Sequence, residues 1–137
     1  MARVLLAAML ATGLAGCAEA AAGSGEAERV TVGITDSSFE MSAVKASDGT
    51  VTFVIENVGT MVHEFEVFAG ATADQELPIV ANTADTSGLR VVDEVEDIVP
   101  GAVIELTVEL EPGTYLLLCN LPGHYAAGNW SSFVVTR

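Results

Sequence analysis

A chain of 137 residues, half of them hydrophobic, has room for one ordinary domain with a single core once any targeting segment is set aside. Nineteen acidic residues stand against five basic ones, for a formal net charge of −14. That balance argues against nucleic acid or an anionic lipid surface as a partner, and leaves solubility or a docking face for a basic protein as its use.

The chain opens on a leader. MARVLLAAMLATGLAGC carries one positive charge, Arg3, then an apolar run from Val4 to Leu10 that continues through small residues to Leu14. The run is too short for a transmembrane helix and has the layout of a bacterial export signal. Leu14-Ala15-Gly16-Cys17 resembles the lipobox of bacterial lipoproteins, which implies that residues 1–16 are a signal peptide and that Cys17 becomes the lipidated first residue. Its acyl chains, at about 0.8 kcal/mol per buried CH₂, hold such a domain on a membrane, facing the periplasm or the cell exterior. The alternative is ordinary secretory cleavage within Ala18–Ala22, with Cys17 discarded. Residues 17–28 are small, polar and aperiodic, and suit a flexible tether from Cys17. The folded domain is expected over 29–137, without internal repeats.

Short alternating stretches closed by Gly and Pro predict an all-β domain. Val30, Val32 and Ile34 share one strand face, and so do Val51, Phe53 and Ile55 after the Asp48-Gly49 turn. The stretch 69–88 lacks alternation and reads as a long connection with a helical turn. Between Pro100-Gly101 and Pro112-Gly113, Ile104, Leu106, Val108 and Leu110 point inward, and Val103, Glu105, Thr107 and Glu109 outward. A last strand carries Phe133 and Val135. Strands at this spacing suggest a sandwich or a Greek-key barrel.

The same parity places the chemistry. In VHEFEVF, His63 shares a face with Phe65 and Val67, while Glu64 and Glu66 are expected to face water. In YLLLC, Cys119 shares a face with Tyr115 and Leu117, and His124 follows across a Pro122-Gly123 turn. A lone inward histidine is ordinarily a satisfied core residue and a lone buried cysteine ordinarily packing. Here the chain has only two histidines, one inward on a strand and the other a tight loop from the one domain cysteine. Once Cys17 is committed to lipid or lost, that cysteine has no partner for a disulfide, which is unusual in an exported domain. Two imidazoles and a thiolate form the trigonal set that suits copper in electron transfer, completed by a weak axial ligand. Zinc also accepts the set, but wants a fourth strong ligand or an open water position.

A distant His followed by Cys-x₄-His resembles the cupredoxins, the small blue-copper proteins. NVGTMVHEF at 57–65 is similar to their first-histidine segment and PGTYLLLCNLPGHYAAG at 112–128 to their ligand loop. The resemblance covers about 29–137. It implies a cupredoxin-like Greek-key β-sandwich, copper as cofactor, His63, Cys119 and His124 as equatorial ligands, and a tyrosine packed before the cysteine at Tyr115. It also implies one-electron traffic between Cu(I) and Cu(II) without bond chemistry. A thiolate buried among Phe65, Leu117 and Trp130 would favour Cu(I). The departure is axial. Relatives with loops of this length tend to carry Met where this chain has Asn129. Three arrangements stand open: weak ligation by the Asn129 oxygen, approach of the Val62 carbonyl in its place, or a three-coordinate site. Met61 is a further candidate by its chemistry. The bland reading of Asn129 is a loop residue tolerant of turn geometry.

The leading expectation is therefore a monomeric electron carrier held on the outer side of a bacterial membrane and serving redox proteins. A copper-delivery or resistance protein is the alternative. Two histidines cannot by themselves furnish the second copper site of multicopper oxidases or copper nitrite reductases, and Gly123 stands where a dinuclear centre needs a second loop cysteine. Catalysis by the isolated chain is not expected, and neither is a metal-free relative of the fold, since the His63, Cys119 and His124 set is intact.

Overall fold

In the computed structural model, which describes residues 26–72 and 74–137, more than half of the described residues lie in strands. The leader 1–16, Cys17 and the tether as far as residue 25 lie outside the described residues. Among those described, no helix is long and apolar enough to cross a membrane.

Alternation makes the first sheet. Val30, Val32 and Ile34 of β1 (Glu28–Thr35) are buried, as are Val51, Phe53 and Ile55 of β4 (Gly49–Asn57). β1 runs parallel to β4, with Val30 opposite Phe53 and Ile34 opposite Asn57. β2 (Ser38–Met41) folds back on β1, and β9 (Val103–Leu110) pairs antiparallel with β4, giving the order β2-β1-β4-β9. Leu106, Val108 and Leu110 of β9 are buried while its acids face solvent.

The second sheet runs β3 (Lys45–Ser47), β11 (Trp130–Thr136), β10 (Gly113–Leu118), β5 (His63–Ala69), β8 (Arg90–Ile98). Phe65, Val67, Leu117, Phe133 and Val135 turn inward to meet Phe53 and its neighbours, so the core is the layer between two sheets. Phe53 packs on both Phe65 and Phe133 with ring centroids 5.3 Å apart.

β8 breaks the rule of alternation. Its inward residues, Val92, Val95 and Ile98, are three apart, because its pairing with β5 shifts register twice, between His63 and Phe65 and between Val67 and Phe68. Each bulge adds a residue and defeats a period of two. The connection expected over 69–88 is long, but among its described residues the regular structure is a small hairpin, β6 (Ile79–Val80) with β7 (Thr83–Ala84), and no helical turn. Pro78 and the left-handed Ala81 and Asn82 (φ 50° and 69°) favour that reversal. Leu77 and Ala84 join Phe68, Leu116, Leu118 and Tyr125 in a second cluster that covers the outer face of the second sheet.

That cover corrects a further expectation. Glu64 and Glu66 point away from the core but not into open water. The Glu64 carboxylate accepts the backbone N–H of Asn120 at 2.9 Å, and one oxygen of Glu66 is buried without a partner.

Candidate metal centre

The centre is assembled from two segments more than fifty residues apart. β5 begins at His63, and strand parity sets that side chain fully inside. The approach is fixed by Asn57, itself 1% exposed, whose side chain donates to the carbonyls of Met61 and Ile98 at 2.8 and 2.7 Å and accepts from Gly59 N–H at 3.0 Å. β10 ends at Leu118 and hands Cys119, also fully buried, to the same end of the core. His124 N–H then donates to the Leu121 carbonyl at 3.0 Å. Gly123 takes a left-handed φ of 87° and starts the one-turn α1 (His124–Ala127). The turn ends on Gly128, φ 115°, whose position could not accept a Cβ, since that atom would lie 2.5 Å from the Ser37 carbonyl.

These paths bring three donors together. Cys119 Sγ lies 3.3 Å from His124 Nδ1, which lies 3.1 Å from His63 Nδ1, and all three fall within 4.8 Å of one another. Donors bound to one ion at about 2.0–2.3 Å stand about 3–4 Å apart, so the cluster has the dimensions of a metal's coordination sphere. Soft sulfur with two imidazoles suits copper, and among the described residues no fourth His, Cys, Asp or Glu joins the group to complete a structural zinc site.

Burial tunes the donors. Desolvation, and then the neighbouring His124, push the basicity of His63 down, which keeps its ring neutral and available to a metal. Burial pushes the Cys119 thiol up, against the pull of the Glu64 and Leu121 backbone N–H groups. The Glu64 N–H lies 3.4 Å from Sγ. His124 is the least enclosed of the three donor side chains.

Asn129 is fully buried beside them. Its N–H donates to the His124 carbonyl at 3.1 Å and its carbonyl accepts from Cys119 N–H at 2.9 Å. Its side-chain nitrogen donates to the carbonyls of Thr35 and Ser38 at 2.8 and 3.2 Å, while Oδ1 is buried and unpartnered. Met61 lies before the strand and is 41% exposed, with its backbone engaged by Asn57 and Asp36. Trp130 stacks on Tyr125, centroids 5.6 Å apart, in the outer cluster and not in the core layer with Phe65 and Leu117. Strand pairing explains it: Trp130 is opposite Leu118, whose side chain faces outward.

Asp36, Asn57 and Asn120 also shape the centre, and sequence reasoning does not single them out. Asn120 locks the ligand loop to the cover through Ala84, accepting its N–H at 2.7 Å and donating to its carbonyl at 3.1 Å, and Gly123 N–H donates to the Asn82 carbonyl at 2.8 Å. Asn57 sits in the first-histidine segment, where its turn-forming type is a usable signal. Asp36 offers none, because only the parallel β1–β4 pairing brings it beside residues 60–61.

A two-sheet sandwich with a buried His₂Cys cluster at one end defines the blue-copper class of architecture. Residues 4–129 match the cupredoxin-like domain, and the chain belongs to that family. Over 100 residues, 73% of its length, it is 27% identical to the iron uptake system component EfeO of Escherichia coli K12, of which it spans 22%. Among solved structures it is similar to a reduced auracyanin from Roseiflexus castenholzii, with a TM-score of 0.59 and 17% identity over 82% of this chain and all of that one. It is also similar to auracyanin A, a blue copper protein of Chloroflexus aurantiacus, with a TM-score of 0.52 and 24% identity over 79% and 99% of the two chains. At these identities the likeness is one of fold.

Proposed function

We propose that the chain is a mononuclear copper electron carrier, with His63, Cys119 and His124 as the ligands, Asn129 Oδ1 as a weak axial donor, and a lipid on Cys17 holding it outside a bacterial membrane. The observation that carries the reading is the convergence of two imidazole nitrogens and one cysteine sulfur within 4.8 Å, inside a cupredoxin-like domain. Copper, when bound, supplies a one-electron couple. The residues supply the rest. Cys119 and His63 exclude water, the Glu64 N–H supports the thiolate, and the less buried His124 is the edge that meets a partner. The Asn129 amide, with its nitrogen spent on two carbonyls, can offer only oxygen inward. Net charge suits a partner with a basic docking face.

Hand-over of copper without a redox role is disfavoured because two ligands are fully buried. A second reading takes the electron from ferrous iron. It is favoured by the likeness to EfeO and by the carboxylates of Glu64, Glu66, Glu94 and Glu96 gathered next to the centre.

One experiment tests these together. Residues 18–137 are loaded with Cu(II) and examined for an intense copper–thiolate charge-transfer band that Cys119→Ser abolishes. Bleaching is then timed against a basic redox protein and against Fe(II). A colourless protein ends the copper reading, and rapid loss of copper to a chelator without electron exchange supports delivery.

A further inference from the structure

The β1–β2 turn, Thr35-Asp36-Ser37-Ser38, contains no ligand and yet touches both halves of the centre. On one side it receives the Asn129 amide through Thr35 and Ser38 and packs the Ser37 carbonyl on Gly128. On the other, the Asp36 carboxylate accepts the Thr60 N–H at 2.7 Å, the Thr60 hydroxyl at 2.7 Å and the Met61 N–H at 3.1 Å, on the segment that leads into His63. Gly59 makes room for it, since a Cβ there would collide with Asp36 Oδ1. Held this way, Oδ1 stands 3.6 Å from His63 Nε2, an atom that is buried and has no hydrogen-bond partner.

His63 directs Nδ1 toward His124 and the cluster. A neutral imidazole that ligates through Nδ1 carries its proton on Nε2. That N–H faces Asp36. A carboxylate behind a ligating histidine fixes its tautomer, steadies its ring and raises its basicity.

We propose that Asp36 is a positioning residue of the copper centre, which holds His63 in the Nε2–H tautomer and sets a fixed anion one imidazole ring from the metal, favouring the more positive, oxidised state. This rests on the copper reading above. The three donors on the carboxylate keep it ionised, with its pKa lowered to about 2, chiefly by the Thr60 hydroxyl. Asp36 thus opposes the buried thiolate environment, which favours the reduced state.

The test uses the full chain, first without metal. Ring-nitrogen NMR is expected to find the His63 proton on Nε2, with exchange at least about tenfold faster in Asp36→Ala; a proton on Nδ1 overturns the proposal without reference to copper. In the copper-loaded chain, Asp36→Asn keeps an oxygen for the 60–61 loop and removes the charge. The Cu(I)/Cu(II) ratio at fixed ambient potential is expected to rise about tenfold, equivalent to about 59 mV, with the charge-transfer band retained. Thr60→Val loosens the loop and keeps the charge, and its ratio should move far less. An unchanged potential in Asp36→Asn, or an equal shift in Thr60→Val, overturns the electrostatic role. Absence of the band in the wild type overturns the copper reading itself, and the inference with it.

Discussion

Cys119 and Asn129 are joined across the ligand loop by a backbone hydrogen bond of 2.9 Å, from the cysteine N–H to the asparagine carbonyl. The cluster cysteine and the asparagine proposed as axial donor therefore share one rigid support. On the proposed ligation, a change at Asn129 reaches the metal in two ways, through its own side chain and through this bond.

Asn129→Met should separate them. The substitution takes the Asn129 donor from the half-buried Thr35 and Ser38 carbonyls, of which Ser38 keeps the Thr35 hydroxyl, and a loss of about 1 kcal/mol is expected. It also exchanges a hard oxygen for a soft thioether, which favours Cu(I). Thermal melts should show the loss, and voltammetry a raised potential. A potential identical to wild type would place the Asn129 oxygen away from the metal.

Copper uptake should release a proton. Burial keeps the Cys119 thiol protonated in the metal-free chain at neutral pH, and only the thiolate ligates. Calorimetry in buffers of different ionisation enthalpy is expected to count about one proton per copper. Affinity should rise about tenfold per pH unit, and Cys119→Ser should flatten that slope.

Glu66 makes a separate, metal-free pH prediction. Burial, reinforced by Glu64, Glu94 and Glu96, raises its carboxyl to about 7 from an ordinary 4.5. The folded chain thus binds this proton more tightly than the unfolded one. The stability this confers is full below pH 4.5 and is lost as pH rises toward and through about 7. Glu66→Gln removes the dependence. Since the side chain keeps some contact with water, urea titration is expected to show a gain at pH 8 of about 1–2 kcal/mol, below a full conversion of the shift. No difference between pH 5 and pH 8 would contradict the assignment.

Gly128→Ala should strain fold and centre together. Its φ of 115° disfavours a side chain, and the new Cβ would press on the Ser37 carbonyl. A loss of about 2–4 kcal/mol is expected. Electron paramagnetic resonance of the copper-loaded variant should broaden, because the displaced turn also carries the Asn129 contacts. Gly49→Ala, also at positive φ but with nothing near the added atom, serves as the strain-only control.

Much of this centre is legible in the amino-acid sequence. Strand parity alone sets His63 inward and Cys119 at the end of a strand, and the turn at Pro122-Gly123 brings His124 round to it. Parity fails where pairing is irregular or where the partner is remote. β8 hides its inward Val92, Val95 and Ile98 behind two bulges. Glu66 looks exposed by alternation, yet one of its carboxylate oxygens is buried. The sequence suggests a helical turn in 69–88, yet the helical turn that forms is at 124–127, between two glycines at positive φ. Asp36 is the extreme case, since its contacts lie 24 and 25 residues along the chain and depend on a parallel register that no local pattern announces.

The order of the strands has a consequence in time. β11, the last strand, closes the second sheet by pairing with β10 and with the early β3, and Asn129 and the ligand loop are pinned by that closure. A chain synthesised from its N-terminus presents His63 long before Cys119 and His124. For much of its synthesis, then, it carries one isolated imidazole and no thiol of the cluster. Metal capture is in this way deferred until the segment from Cys119 onward arrives, so that a completed centre marks a second sheet that has closed.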